Sequence, residues 1–177
     1  MQHSTIYDTK PQPKVACTIK DSLPIGHIPA HIHTIRTTVN GIKFRGLNEA
    51  RMYVYLSEMF KDTATVIYEP ESFELKPARD VPSRAYVPDF GVVFDSGEVL
   101  YIESKVCDSP DIQDAQIKLS ALSKSGRPCL LFIGYPRKHF LQFWVNGLGT
   151  KLVEVTDTRD AANIASSAID FYKSRAK

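Results

Sequence analysis

The sequence predicts a mixed α/β domain: a central mixed β-sheet flanked by helices. Three observations carry this. Two strand-like runs, Tyr86 to Phe94 and Glu98 to Val106, are joined by the short loop Asp95-Ser96-Gly97. Two runs of helical periodicity, Leu47 to Phe60 and Pro110 to Lys124, lie on either side of that pair. Composition is that of an ordinary globular domain, with 177 residues, 43% hydrophobic and 24% charged.

The elements follow in chain order. Residues 1–30 carry Pro11, Pro13, Pro24 and Pro29 with no sustained period, and read as an N-terminal arm or extension. Residues 31–177 read as a single domain, a length that suffices to bury a sizeable core. Ile32 to Val39 alternates weakly and is expected as a strand, followed by the turn pair Asn40-Gly41. From Leu47 to Phe60, Leu47, Ala50 and Val54 share one side of a helix, with Tyr53, Leu56 and Phe60 beside them. Thr65 to Tyr68 and Ser72 to Leu75 read as short strands, and the polar stretch Lys76 to Arg84, with Pro77 and Pro82, as a loop. After the central pair, Asp108-Ser109-Pro110 opens the second helix and Gly126 ends it. Pro128 to Ile133 is a short apolar run that suits a buried strand. Phe140 to Val145 and Lys151 to Val155 add strands, and Ala161 to Lys173 closes the chain as a helix.

Charge and cysteine content narrow the classes. A net charge of +2 permits a nucleic-acid partner without demanding one. Cys17, Cys107 and Cys129 are widely spaced and odd in number, which fits neither a zinc pattern nor a disulfide framework. With no apolar leader and no run long enough for a membrane span, the expectation is a cytoplasmic protein with no membrane partner.

The central pair yields a geometric expectation. A three-residue hairpin loop with Gly last is a common turn, because that position needs positive φ. Such a loop sets Phe94 opposite Glu98, and the same register sets Asp89 opposite Glu103. Phe90 with Ile102, and Val92 with Leu100, then form the alternate, apolar face. Like charges directly opposed across strands are destabilising. A divalent cation with oxygen ligands resolves that conflict, and magnesium commonly sits on one or two carboxylates plus a substrate phosphate. Lys105, two residues beyond Glu103, shares its face and is placed to touch an attacking water or a phosphate oxygen. The plain alternative is an exposed hairpin with ordinary surface charges. Glu49 adds a third acid on the largely apolar stripe of the first helix, where an unpaired carboxylate is costly. Metal binding, interaction with the helix N-terminus and pairing with Arg45 or Arg51 are all open to it.

Four segments in order carry a resemblance: Phe44-Arg45-Gly46-Leu47-Asn48-Glu49-Ala50-Arg51, Tyr68-Glu69-Pro70-Glu71, Val87-Pro88-Asp89 and Ile102-Glu103-Ser104-Lys105. Together they resemble the PD-(D/E)XK nuclease superfamily, in particular small nucleases of phage and mobile-element type. Gly46 stands where a serine is usual. The resemblance spans about residues 42–134 and implies a restriction-endonuclease-like core that hydrolyses phosphodiester bonds in DNA with Mg2+, for which Mn2+ substitutes. It implies Asp89 as principal metal ligand, Glu103 as the second, the Ser104 carbonyl completing that shell, and Lys105 acting on water and phosphate. It implies Glu49 holding a second metal or a metal-bound water. Glu71 belongs to the same pattern, with catalytic and structural roles both open.

Other residues are weighed more plainly. Gln116 and Lys118 can approach such a site, although a solvated helix face is the simpler reading. Arg45, Arg51, Arg79, Arg84, Lys124 and Arg127 are available for phosphate contacts. His27, His31 and His33 lack a ligand cluster, and Phe143 and Trp144 read as core rather than as base-stacking platforms. No recognition module is visible, which points to structure- or partner-directed endonucleolytic cutting, with a homodimer or partner protein plausible because cutting both strands needs two sites. The competing expectation is a catalytically silent protein of the same fold that binds DNA or scaffolds an assembly.

Overall fold

The computed structural model describes residues 36–76, 83–106, 109–134 and 139–155. The expected arm, the closing helix Ala161 to Lys173, and Cys17, Cys107 and Arg79 lie outside the described residues.

The described chain opens with a hairpin, β1 (Thr37–Val39) and β2 (Ile42–Phe44). Asn40 and Gly41 take φ of 51° and 80°, the paired positive values that tight hairpin turns require. Helix α1 follows (Leu47–Met59), then β3 (Ala64–Tyr68), β4 (Phe73–Leu75), β5 (Arg84–Tyr86), β6 (Phe90–Phe94) and β7 (Val99–Val106). Helix α2 (Ile112–Lys124) leads to β8 (Cys129–Gly134), β9 (His139–Val145), β10 (Leu148–Gly149) and β11 (Val153–Val155).

The main sheet has seven strands in the order β10-β9-β8-β7-β6-β3, with β11 also on β9. All neighbours are antiparallel except β7 and β8. That one parallel pair follows from the α2 crossover, since parallel neighbours need a long connection and usually a helical one. The sheet is therefore mixed and has a helix on each face, as the sequence predicts.

Strand parity sorts the side chains into two cores. Phe90, Val92, Leu100 and Ile102 are buried against α1 together with Leu130 and Phe132. Tyr101, Cys129, Leu131 and Ile133 point the other way, toward Leu119 and Leu122 of α2. Strand β8 is buried throughout, as a central strand covered on both faces should be. Cys129 is a free buried thiol that desolvation holds well above the usual thiol range.

The central hairpin has the expected register: Phe90 pairs with Ile102 and Val92 with Leu100. Phe94 N–H donates to the Glu98 carbonyl at 3.0 Å, Gly97 N–H donates back to Phe94 at 2.8 Å, and Gly97 has φ of 87°.

Four elements differ from expectation. The run Tyr86 to Phe94 is two strands rather than one. β5 pairs with β4 in a separate two-stranded sheet, and the chain joins the main sheet only at Phe90. Pro88 sits at the break, where its missing N–H would have left a gap in a ladder. Strands β2 and β10 were too short to show a period. Helix α2 begins at Ile112, with Ser109 accepting the Ile112 N–H before it.

Candidate active site

The break at Pro88 and the end of the hairpin meet at one place. Asp89 is the first residue before β6, and its carbonyl accepts the Glu69 N–H at 3.0 Å, extending the β3–β6 ladder by one step. Its carboxylate turns to β7, where Oδ2 accepts the Ser104 N–H at 2.8 Å and the Ser104 hydroxyl at 3.2 Å. Asp89 is 8% exposed and Glu103 only 4%. Two carboxylates buried this far require partners.

Glu103 has one partner for each oxygen. Tyr86 on β5 donates its hydroxyl to Oε2 at 2.7 Å, and Lys105 Nζ lies 2.5 Å from Oε1. The same ammonium donates to the Ser104 carbonyl at 3.2 Å. An oxygen of Glu103 and the carbonyl of Ser104 thus converge on a single cationic centre. Parity explains the grouping, because Glu103 and Lys105 share one face of β7.

The electrostatics are those of a compact, desolvated site. Burial, reinforced by the nearby charge of Glu103, pushes the Asp89 carboxyl up to about 6, while Lys105 and the Ser104 N–H pull against that rise. For Lys105, burial acts downward, but Asp89 and Glu103 outweigh it and hold the ammonium above the ordinary lysine value. Burial and the charge of Glu103 push the Tyr86 phenol far above its usual range, so it remains a hydrogen-bond donor.

Glu49 lies in the wall of the same cleft. Its Oε2 accepts the Tyr68 hydroxyl at 2.7 Å and the N–H groups of Arg45 and Gly46 at 2.9 and 3.3 Å. This is half of a capping box, since Gly46 has no side chain to return the bond. Arg45 Nη2 bridges Glu49 at 3.1 Å, Glu69 at 3.2 Å and Asp89 at 3.6 Å. Glu69 holds φ of 46°, a strained value for a residue with a side chain. Tyr68, Glu69 and Tyr86 were not singled out by sequence reasoning. Tyr68 and Glu69 stand inside the quoted Tyr68-Glu69-Pro70-Glu71 segment, but nothing in their spacing marks a partnership with Arg45.

Arg45, Glu49, Tyr86, Asp89, Glu103 and Lys105 line an open cleft of about 600 Å³ that also includes Asn48, Val87, Ser109 and Lys118. Lys118 reaches it over the Tyr86 ring, 5.5 Å from the centroid, while also pairing with Asp114. Arg84 pairs with Asp114 as well. Gln116 is directed elsewhere, to Gln142 on β9. Glu71 accepts the Tyr101 hydroxyl and lines a separate surface depression with Lys124 and Arg127. Arg51 lies outside the cleft lining, its buried Nε without a hydrogen-bond partner.

The donor set suits a hard divalent cation. Among the described residues no three acidic, histidine or cysteine side chains form a metal-binding group. Two carboxylates and one carbonyl match the habit of magnesium, which keeps several waters and takes few protein ligands. Asp89, Glu103 and the Ser104 carbonyl are the groups that would hold it, and Glu49 is linked to them through Arg45.

No protein-family model matches the chain, and no curated protein matches it significantly. Among solved structures, the chain is similar to part of a cryo-EM structure of a DrdV–DNA complex, with 14% identity and a TM-score of 0.41, over 71% of this chain and 11% of that one. A likeness so distant carries no weight for the chemistry, which rests on the chain's own residues. Among the described residues no helix is long and apolar enough to cross a membrane.

Proposed function

We propose that this chain is a metal-dependent DNA endonuclease that hydrolyses phosphodiester bonds at Asp89, Glu103 and Lys105. The supporting observation is the burial of two carboxylates, Asp89 just before β6 and Glu103 on the neighbouring β7, in one open cleft with Lys105. DNA as the substrate rests on the ordered sequence segments, whereas structure- or partner-directed cutting rests on there being no recognition module visible in the sequence, and a homodimer or partner protein on the two sites that cutting both strands needs.

In this reading Asp89, Glu103 and the Ser104 carbonyl hold Mg2+, or Mn2+ in its place. When bound, the cation supplies Lewis-acid polarisation of the phosphate and a water made acidic enough to attack at neutral pH. The residues do the rest. The cleft has three carboxylates, Glu49, Asp89 and Glu103, against three cations, Arg45, Lys105 and Lys118. A dication on that balanced set gives a net positive cleft, which attracts a phosphodiester. Lys105 orients the incoming water and stabilises charge on the phosphate. Burial strengthens both actions, because few waters compete with the fixed charges. Arg45, 65% exposed along its side chain, contacts the strand from the mouth. Glu49 orders Arg45 and the start of α1, and stands ready to hold a second metal or a metal-bound water.

The test is incubation with magnesium and a panel of linear, nicked, branched and single-stranded DNAs. Metal-dependent cutting of at least one is expected, and Asp89→Ala or Lys105→Ala should abolish it in a folded protein. Absence of cutting across the panel, or wild-type activity in either variant, rejects the reading. A second reading, a catalytically silent DNA-binding or assembly scaffold, is favoured by one observation: Lys105 and Arg45 already neutralise the carboxylates internally. It predicts tight DNA binding that divalent metal does not alter.

A further inference from the structure

Glu103 is held by a residue from outside its own sheet. Tyr86 belongs to β5, which pairs with β4 and not with the main sheet. Its ring is buried in the core beneath α2, alongside Phe73, Tyr101 and Leu119. Lys118 caps the ring at 5.5 Å. A ring so enclosed has little freedom to swing, and its hydroxyl is delivered to one place, Glu103 Oε2 at 2.7 Å. The other oxygen, Oε1, is left to face Lys105 at 2.5 Å. A carboxylate with one oxygen fixed has lost the rotation that would exchange the two.

We infer that Tyr86 is a positioning residue that fixes which oxygen of Glu103 is presented to the bound cation. The inference rests on the reading of Glu103 as a metal-holding carboxylate. Its logic is that of outer-shell hydrogen bonds, which orient the groups that touch a metal and whose loss weakens binding. Only three positions separate Tyr86 from Asp89, with Pro88 between them. The same short link therefore contributes one carboxylate and restrains the other.

The experiment is calorimetric titration of the full chain with Mn2+, run on wild type and on the variants Tyr86→Phe, Asp89→Ala and Tyr101→Phe. Tyr86→Phe removes one oxygen atom and keeps the packed ring. It should weaken Mn2+ binding about 10- to 100-fold and lower the melting temperature of the metal-free protein by a few degrees, because Glu103 Oε2 loses its donor. In cleavage at saturating Mn2+ it should lower kcat and leave KM for DNA unchanged. Tyr101→Phe is the control, a buried phenol on the same core whose hydroxyl bonds Glu71 instead. It should bind Mn2+ like wild type. If Tyr86→Phe matches wild type while Asp89→Ala loses binding, the positioning role is overturned and the metal site stands. If Tyr101→Phe weakens binding as much as Tyr86→Phe, the effect belongs to the core in general and the positioning role is again overturned. If wild type itself binds no Mn2+, the metal reading fails and this inference with it.

Discussion

Asp89→Asn should make the protein more stable. The Asp89 carboxyl titrates at about 6 rather than its usual 3.8, mainly because it is buried and secondly because Glu103 is charged nearby. Keeping it ionised at neutral pH therefore costs on the order of 3 kcal/mol. Asparagine is nearly isosteric, and its Oδ1 can still accept the Ser104 N–H. What is lost is the charge that supports Lys105 and the 3.6 Å contact with Arg45. The support of Lys105 is already contained in that net value, so only the Arg45 contact is subtracted; allowing roughly 1 kcal/mol for it leaves a gain of about 2 kcal/mol, or about 4–8 °C in Tm for a chain of this size. The sign with pH follows from linkage. A folded-state pKa raised above the unfolded one contributes stability that is fully present below about 4 and lost as pH rises through about 6. The variant should therefore exceed wild type at pH 7.5 and converge with it near pH 4. If Asp89 holds the metal as proposed, adding Mn2+ reverses the order, since a ligand at 100 times its Kd stabilises the wild type by about 2.7 kcal/mol and the variant hardly at all. The assay is thermal unfolding by circular dichroism, with chelator and with Mn2+, at both pH values. A variant no more stable than wild type at pH 7.5 in chelator would refute the electrostatic reasoning. So would a stability gap that persists unchanged at pH 4.

Two other substitutions separate site from scaffold. Glu49→Gln keeps an acceptor for the Arg45 and Gly46 N–H groups but removes the charge that Arg45 meets at 3.1 Å. If Glu49 acts only as a helix-end partner, cleavage should change less than about threefold and stability by about 0.5–1 kcal/mol; a loss of 100-fold or more at unchanged Tm would assign it to the metal chemistry. Gly91→Val should destabilise by about 1–3 kcal/mol, read by urea unfolding, because a Cβ there would meet Pro70 Cβ at 3.0 Å and Cγ at 3.1 Å. A fully stable Gly91→Val would show that the Pro70 segment yields freely.

The sequence was most informative where two periodicities had to agree. Loop chemistry at Gly97 and apolar alternation at Phe90, Val92, Leu100 and Ile102 independently gave one register, and the structure has it. Both helices that flank the sheet were legible for the same reason, since long periods average over single exceptions. The break at Pro88 was not taken up, although proline carried the signal, because the apolar residues on both sides continued as if in one strand. The partners of Glu49 were only half legible. Arg45 lies four residues away and was considered, whereas Tyr68 is brought in by the sheet. Tyr86 is harder still. Its role depends on β5 leaving the main sheet, a tertiary fact without a local pattern.

The hairpin has a consequence for how this protein could fail. The acids and the α1-facing apolar residues alternate along the same two strands, so one slip of a single residue exchanges them. Glu103 would then be driven under α1, and Ile102 would be turned into the cleft. A carboxylate without a partner in that core costs several kcal/mol, comparable with the entire margin by which a domain is folded. A misregistered molecule is therefore not an inactive folded one; it is an unfolded one. The folded population should therefore be uniform in how Asp89 and Glu103 are placed. The loop at residues 95–97 lies at the opposite end of β6 from Asp89, roughly 17 Å away along a five-residue strand. A label on the exposed loop is the change best tolerated there, because the buried pairs hold the register together with the turn.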